Sequence, residues 1–162
     1  HSMGGWLALM AAAQDPAVAC VGALDARNVG AYGAMLRQDP AAAAAVTKNT
    51  DWLTAPGAPY RTDGGGTALV AEIVANAEQW DVTRHAPALA TRPLLLVGAT
   101  FVADQESLVA ALRRAGAGGV TALVWRTDHS FSDRRIALAR AVVDWLGSGC
   151  SLGGMKRTGR SG

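Results

Sequence analysis

The chain has 162 residues, half of them hydrophobic and 17% charged, which excludes a disordered chain and leaves room for one apolar core but not two independent domains. Fifteen Lys and Arg against thirteen Asp and Glu leave a formal charge of +2, too little to imply a nucleic-acid partner. No apolar run approaches the roughly 20 residues needed to span a bilayer, so no membrane span is expected.

Alanine, the commonest residue, suits either face of a helix and blurs periodicity, so caps and breakers set the expected boundaries. A first helix is predicted over residues 4–13, stopped by Asp15-Pro16, and a charge-free buried strand over 17–24. From Asp25 to about Trp80 the pattern loosens, and residues 28–80 are expected to form a cap-like or irregular helical insertion. Within it, Asp39-Pro40 starts one helix and a second covers 68–80, with loops at 55–59 and 63–66. The last third is regular. A strand over 93–98, a helix over 107–115, a strand over 120–125 and a helix over 133–146 are predicted. That last helix has Ser132 as its cap, Gly147 as its stop, and Ile136, Ala139, Val143 and Leu146 on one face. This order argues for an α/β fold, a parallel sheet with crossover helices on both faces. Residues 147–162 are expected to be a disordered, solvated tail.

Cys20 and Cys150 fit neither a disulfide framework nor metal-ligand spacing, so both are expected to be free thiols, which fits a reducing, cytoplasmic setting. No metal or other cofactor is implied. The Gly-rich run at 63–67 lacks the preceding strand and following Lys-Ser/Thr of a phosphate cradle and reads as a loop.

The opening His1-Ser2-Met3-Gly4-Gly5 carries the most chemistry. A serine at a sharp strand-to-helix turn needs small neighbours, and Gly4 stands two residues after Ser2 where a side chain would crowd the turn. His1-Ser2-Met3-Gly4-Gly5 with the apolar Trp6-Leu7-Ala8-Leu9 behind it resembles the nucleophile elbow of serine α/β-hydrolases, closest in flavour to the esterase and prolyl-oligopeptidase-like branches. The resemblance covers about residues 1–146 and is vague in the middle. It implies a partial α/β-hydrolase domain entered at the elbow, with earlier strands absent, so that these 162 residues alone would be inactive and poorly stable.

The resemblance places the catalytic base after the last strand, where His129 stands, and the acid after the strand before it. A serine hydroxyl needs an imidazole to take its proton, and the imidazole needs a carboxylate to hold its tautomer. Asp104 is the first acidic residue after the 93–98 strand, although it arrives later than the family pattern and no Pro follows; a helix-capping role competes. Glu106 and Asp25 are the alternatives, the latter at a position that some lipase-like hydrolases use. Asp128 adjoins His129 and is a poor partner. His85 is expected at the surface. The Met3 N–H would donate to the oxyanion, and His1 could line the pocket. The function expected is hydrolysis of a carboxylic ester or related acyl bond of a small-molecule or peptide substrate through an acyl-enzyme. A peptidase or acyltransferase of the same fold, or a non-catalytic relic or binding module on that scaffold, is the alternative.

Overall fold

The computed structural model describes residues 1–50 and 64–150. Among these residues seven α-helices and three strands follow in the order α1 (Met3–Gln14), β1 (Val21–Leu24), α2 (Val29–Gln38), α3 (Pro40–Thr50), α4 (Gly65–Ala75), α5 (Ala86–Leu89), β2 (Leu94–Gly98), α6 (Val102–Arg114), β3 (Val120–Val124) and α7 (Arg135–Ser148), with a 3-10 turn at Val82–His85 before α5. The fold is α/β. Its sheet is parallel in the order β1-β2-β3, with Val21 opposite Leu94 and Leu94 opposite Val120.

The central strand explains the layering. β2 is a charge-free Leu94-Leu95-Leu96-Val97-Gly98 with every residue buried, as a strand covered on both faces must be. Its side chains alternate: Leu94 and Leu96 join Trp6, Leu9, Leu36 and Leu112 in the larger core, whereas Leu95 and Val97 meet Phe131 and Trp145 of the smaller one. Helices α1, α2, α4, α5 and α6 supply the first layer and α7 the second.

Caps and breakers located several elements well. Asp39 Oδ1 accepts the Ala42 N–H at 2.9 Å at the start of α3, and α1 ends as Asp15 N–H donates to Ala11 O at 2.9 Å. Other boundaries differ. β1 is shorter than expected at its start, α4 takes in Gly65 and Gly66 and ends at Ala75, and α6 begins five residues early. Among the described residues, the segment 28–80 contains three helices, of which α2 and α4 contribute Leu36, Val70 and Ile73 to the main core. α2 approaches its neighbours closely because it carries glycines: a Cβ on Gly30 would lie 2.0 Å from Asp81 N, and one on Gly33 would lie 2.4 Å from Ile73 O. The loop expected at 55–59 lies outside the described residues.

At the C-terminal end three expectations are corrected. Ser132 does not cap α7; its N–H donates to Asp128 Oδ1, and the helix starts at Arg135. The helix runs past Gly147 to Ser148, because an exposed glycine lowers helix propensity without blocking the fold. Trp145 packs on the sheet with Leu138 and Val142, which turns Ile136 and Val143 outward at 72% and 64% exposure and leaves Leu146 and Ala139 exposed too. Residues 151–162 of the expected tail lie outside the described residues.

Nor are the cysteines free. Cys20, just before β1, is disulfide-bonded to Cys150, just after α7, across a sequence separation of 130 and a Cα–Cα distance of 5.6 Å. Separations this long are invisible to spacing rules, and α7 folding back under the sheet creates the pair. The reducing compartment inferred from free thiols loses its basis. No helix among the described residues is long and apolar enough to cross a membrane.

Closing so long a loop restricts the unfolded chain, so reduction or Cys20→Ser is expected to lower unfolding free energy by about 2–4 kcal/mol. Denaturant midpoints with and without reductant measure it; identical midpoints would count against the bond.

Candidate active site

The three strands end side by side, and the residues that follow them meet. Asp25 comes directly after β1, Ala99-Thr100-Phe101 directly after β2, and His129 in the loop after β3. Asp25 is 1% exposed. Its Oδ1 accepts the N–H groups of Ala99, Thr100 and Phe101 at 2.8, 2.9 and 3.0 Å. Its Oδ2 accepts the Thr100 hydroxyl and His129 Nδ1–H, each at 2.6 Å. Burial by itself would raise the Asp25 pKa; hydrogen bonds from Thr100, His129 and the Phe101 and Ala99 amides outweigh it and hold the carboxyl at about 2.

The carboxylate on His129 is therefore Asp25, not Asp104. Asp104 lies in the first turn of α6 and accepts the Asn28 N–H at 3.0 Å. It faces a cavity of about 20 Å³, room for a water molecule, with Trp6, Asn28 and Gln105. Phe101 is the N-cap residue of α6, so Asp104 is not its cap either. Glu106 is exposed on the same helix. The physical reason lies in the pairing of β1 with β2: the loop after β2 turns three consecutive N–H groups toward the end of β1, making it a cradle for a carboxylate rather than the source of one.

Asn28 links this loop to the helical segment. Besides binding Asp104 it donates Nδ2–H to Asp81 Oδ1 at 2.7 Å, while its Oδ1 accepts from the Ala31 and Val82 N–H groups. Asp81 also accepts the Thr83 N–H and hydroxyl. Burial works against its charge, but bonds from Asn28 and Thr83 prevail and lower its pKa. The turn Asp25–Asn28 is thus held at both ends.

Ser2 stands at the head of α1 with φ 55° and ψ −130°, a conformation rare for a residue bearing a Cβ. Its N–H donates to Leu24 O at 2.9 Å, seating the turn against the end of β1 beside Asp25. Ser2, Asp25 (φ 43°) and Phe131 (φ 54°) are the non-glycine residues at positive φ among those described. All three lie in or next to this cluster, which concentrates backbone strain where the surrounding hydrogen bonds hold it. The steric reason expected for Gly4 does not hold here: a Cβ there would meet nothing within 4 Å. The close approach is at Gly5, whose Cβ would lie 3.0 Å from Ala26 Cβ.

His129 is fixed by its own loop. Asp128 Oδ1 accepts the Ser130 and Ser132 N–H groups at 2.9 and 3.0 Å, and bonds from Ser132 and then Ser130 lower its pKa. Asp128 therefore shapes the loop rather than pairing with the imidazole. His1 donates Nε2–H to His129 O at 2.6 Å, and the two rings lie 4.5 Å apart. Phe101 packs edge-on against His129 at 5.3 Å. No Ser2–His129 hydrogen bond forms among the described residues; such bonds often tighten only with substrate present. The Met3 N–H opens α1, and its side chain is exposed. His85 is distant in role, bonding Gln79 O from the 3-10 turn.

Sequence reasoning missed Thr100, Phe101, Asn28 and Asp81. The available signal was Asp25 itself, an acid immediately after a charge-free strand, together with small polar Thr100 just past the Gly that closes β2. Among the described residues no group of three or more His, Cys, Asp or Glu could hold a metal. Comparison of the chain with protein-family models, with curated proteins and with solved structures found no match.

A carboxyl held below its ordinary value contributes stability that is fully present above pH 3.8 and is lost as pH falls through about 2. The protein is expected to lose about 2 kcal/mol across that window from Asp25. Asp25→Asn should flatten this acid limb in denaturant titrations from pH 5 to 2; an unchanged limb would contradict the assignment.

Proposed function

We propose that the protein is a serine hydrolase of α/β-hydrolase type that cleaves a carboxylic ester through an acyl-enzyme, with Ser2, His129 and Asp25 as its triad. The observation that carries the reading is the buried Asp25 carboxylate on His129 Nδ1, in a loop cluster that also seats the strained Ser2. A carboxylate there keeps the Nδ1 proton in place and leaves Nε2 as the acceptor, the tautomer that a general base requires.

In the first step Ser2 Oγ forms a bond to the ester carbonyl carbon while its proton passes to His129 Nε2. The Met3 N–H, the first amide after the serine, donates to the oxyanion. Collapse breaks the bond to the alkoxy oxygen, which leaves as the alcohol with the proton from His129. Water then repeats the sequence on the acyl-enzyme and frees the acid. Asp25 stays ionised throughout, since its donors favour the charged form and the imidazolium places a positive charge beside it. The cluster lies outside the carboxyl ends of parallel strands, where open α/β sheets bind ligands.

Two measurements on the intact protein test the reading. A fluorophosphonate probe is expected to label it and to fail on Ser2→Ala; labelling that survives the substitution would overturn the nucleophile. Asp25→Asn is expected to reduce kcat on an activated ester by on the order of 10⁴, while Asp104→Asn changes it far less. The reverse ranking would return the acid to Asp104, and no labelling or turnover at all would favour a non-catalytic scaffold.

A further inference from the structure

Arg27 lies two residues from Asp25, in the turn whose ends are fixed by Asp25 and Asn28. Its guanidinium carbon sits 3.5 Å from the centroid of the Tyr32 ring and 5.1 Å from that of Phe101. Phe101 in turn packs against His129, so one aromatic ring separates the guanidinium from the imidazole. The side chain is half-buried, and among the described residues Arg27 has neither an ion pair nor a hydrogen bond from its guanidinium. Asp104 lines the same small cavity; its Oδ2 accepts the Asn28 N–H, and it forms no ion pair with Arg27.

Rings attract a guanidinium over their faces, whereas its five N–H groups lie in its own plane and point outward at the edge. Stacking therefore fixes the plane of Arg27 while leaving the N–H fork unclaimed. A planar fork held in this way matches a carboxylate, which accepts two parallel bonds in the same plane. Phe101 also belongs to the proposed catalytic cluster, so an anion on Arg27 would sit one aromatic ring away from the imidazole.

The geometry points to Arg27 as the residue that selects an ester carrying a carboxylate, an inference that rests on the serine-hydrolase reading above. The carboxylate can stand on the acyl or on the alcohol side. Two matched pairs separate these: 4-nitrophenyl hemiglutarate against 4-nitrophenyl valerate for the acyl side, and 3-acetoxybenzoate against phenyl acetate for the alcohol side.

The intact protein is expected to show kcat/KM about tenfold or more higher for the charged member of one pair, as a charge-assisted bond supplies. In Arg27→Gln that ratio should fall toward one, with Arg27→Lys, which keeps charge and loses the fork, in between. Because each ratio compares two substrates on one enzyme, it is independent of how much of the variant folds. Faster turnover of the neutral ester in both pairs, equal turnover, or a preference that survives Arg27→Gln would overturn the inference and leave the hydrolase reading standing. Labelling of Ser2 without turnover of any of the four esters would likewise overturn the substrate class alone. Absence of both labelling and turnover would overturn the hydrolase reading, and the inference with it.

Discussion

One buried carboxylate holds together the ends of all three strands. Asp25 ends β1, its three amide donors begin the segment after β2, and its imidazole partner comes from the loop after β3. A carboxylate removed from water is costly unless its lone pairs are filled, and here both oxygens are. The same requirement sets the loops. Ala99, Thr100 and Phe101 must present consecutive N–H groups, and His129 must approach with Nδ1 inward. The Asp128 turn and the contacts of His1 and Phe101 with the imidazole then restrict its remaining freedom.

A second polar network anchors the turn that carries Asp25. Asn28 joins Asp104 of α6 to Asp81 of the segment before α5, residues separated from it by 76 and 53 positions. The helix that Asn28 caps, α2, lies against that segment closely enough that Gly30 leaves no space for a Cβ. Catalytic-looking acids and structural acids thus share one neighbourhood. What separates them is the donor each meets: Asp104 receives a backbone N–H of the turn, while Asp25 receives the imidazole.

The stacking of Arg27 follows from those two networks, because Phe101 is both a donor to Asp25 and a ring beneath the guanidinium. On the opposite face of the sheet the Cys20–Cys150 bond and Trp145 fasten α7, the helix into which the loop bearing His129 runs, under β2.

Much of this was legible in the residues alone. Local chemistry determined the alternation of helix and strand, the fully buried β2 and the caps at Asp39 and Asp15, since each depends on neighbours a few positions away; Ser2 and His129 became candidates through the resemblance of the opening motif to a nucleophile elbow. Tertiary structure decided which acid meets His129, which face of α7 is buried, and that Cys20 meets Cys150. Asp25 and Asp104 each follow a strand, and nothing within either segment tells which carboxylate the loop after β2 will cradle. That choice depends on the parallel register placing Leu24 beside Val97, which brings Asp25 to the three amides; it is a property of strand pairing across 73 residues and not of any one stretch of chain.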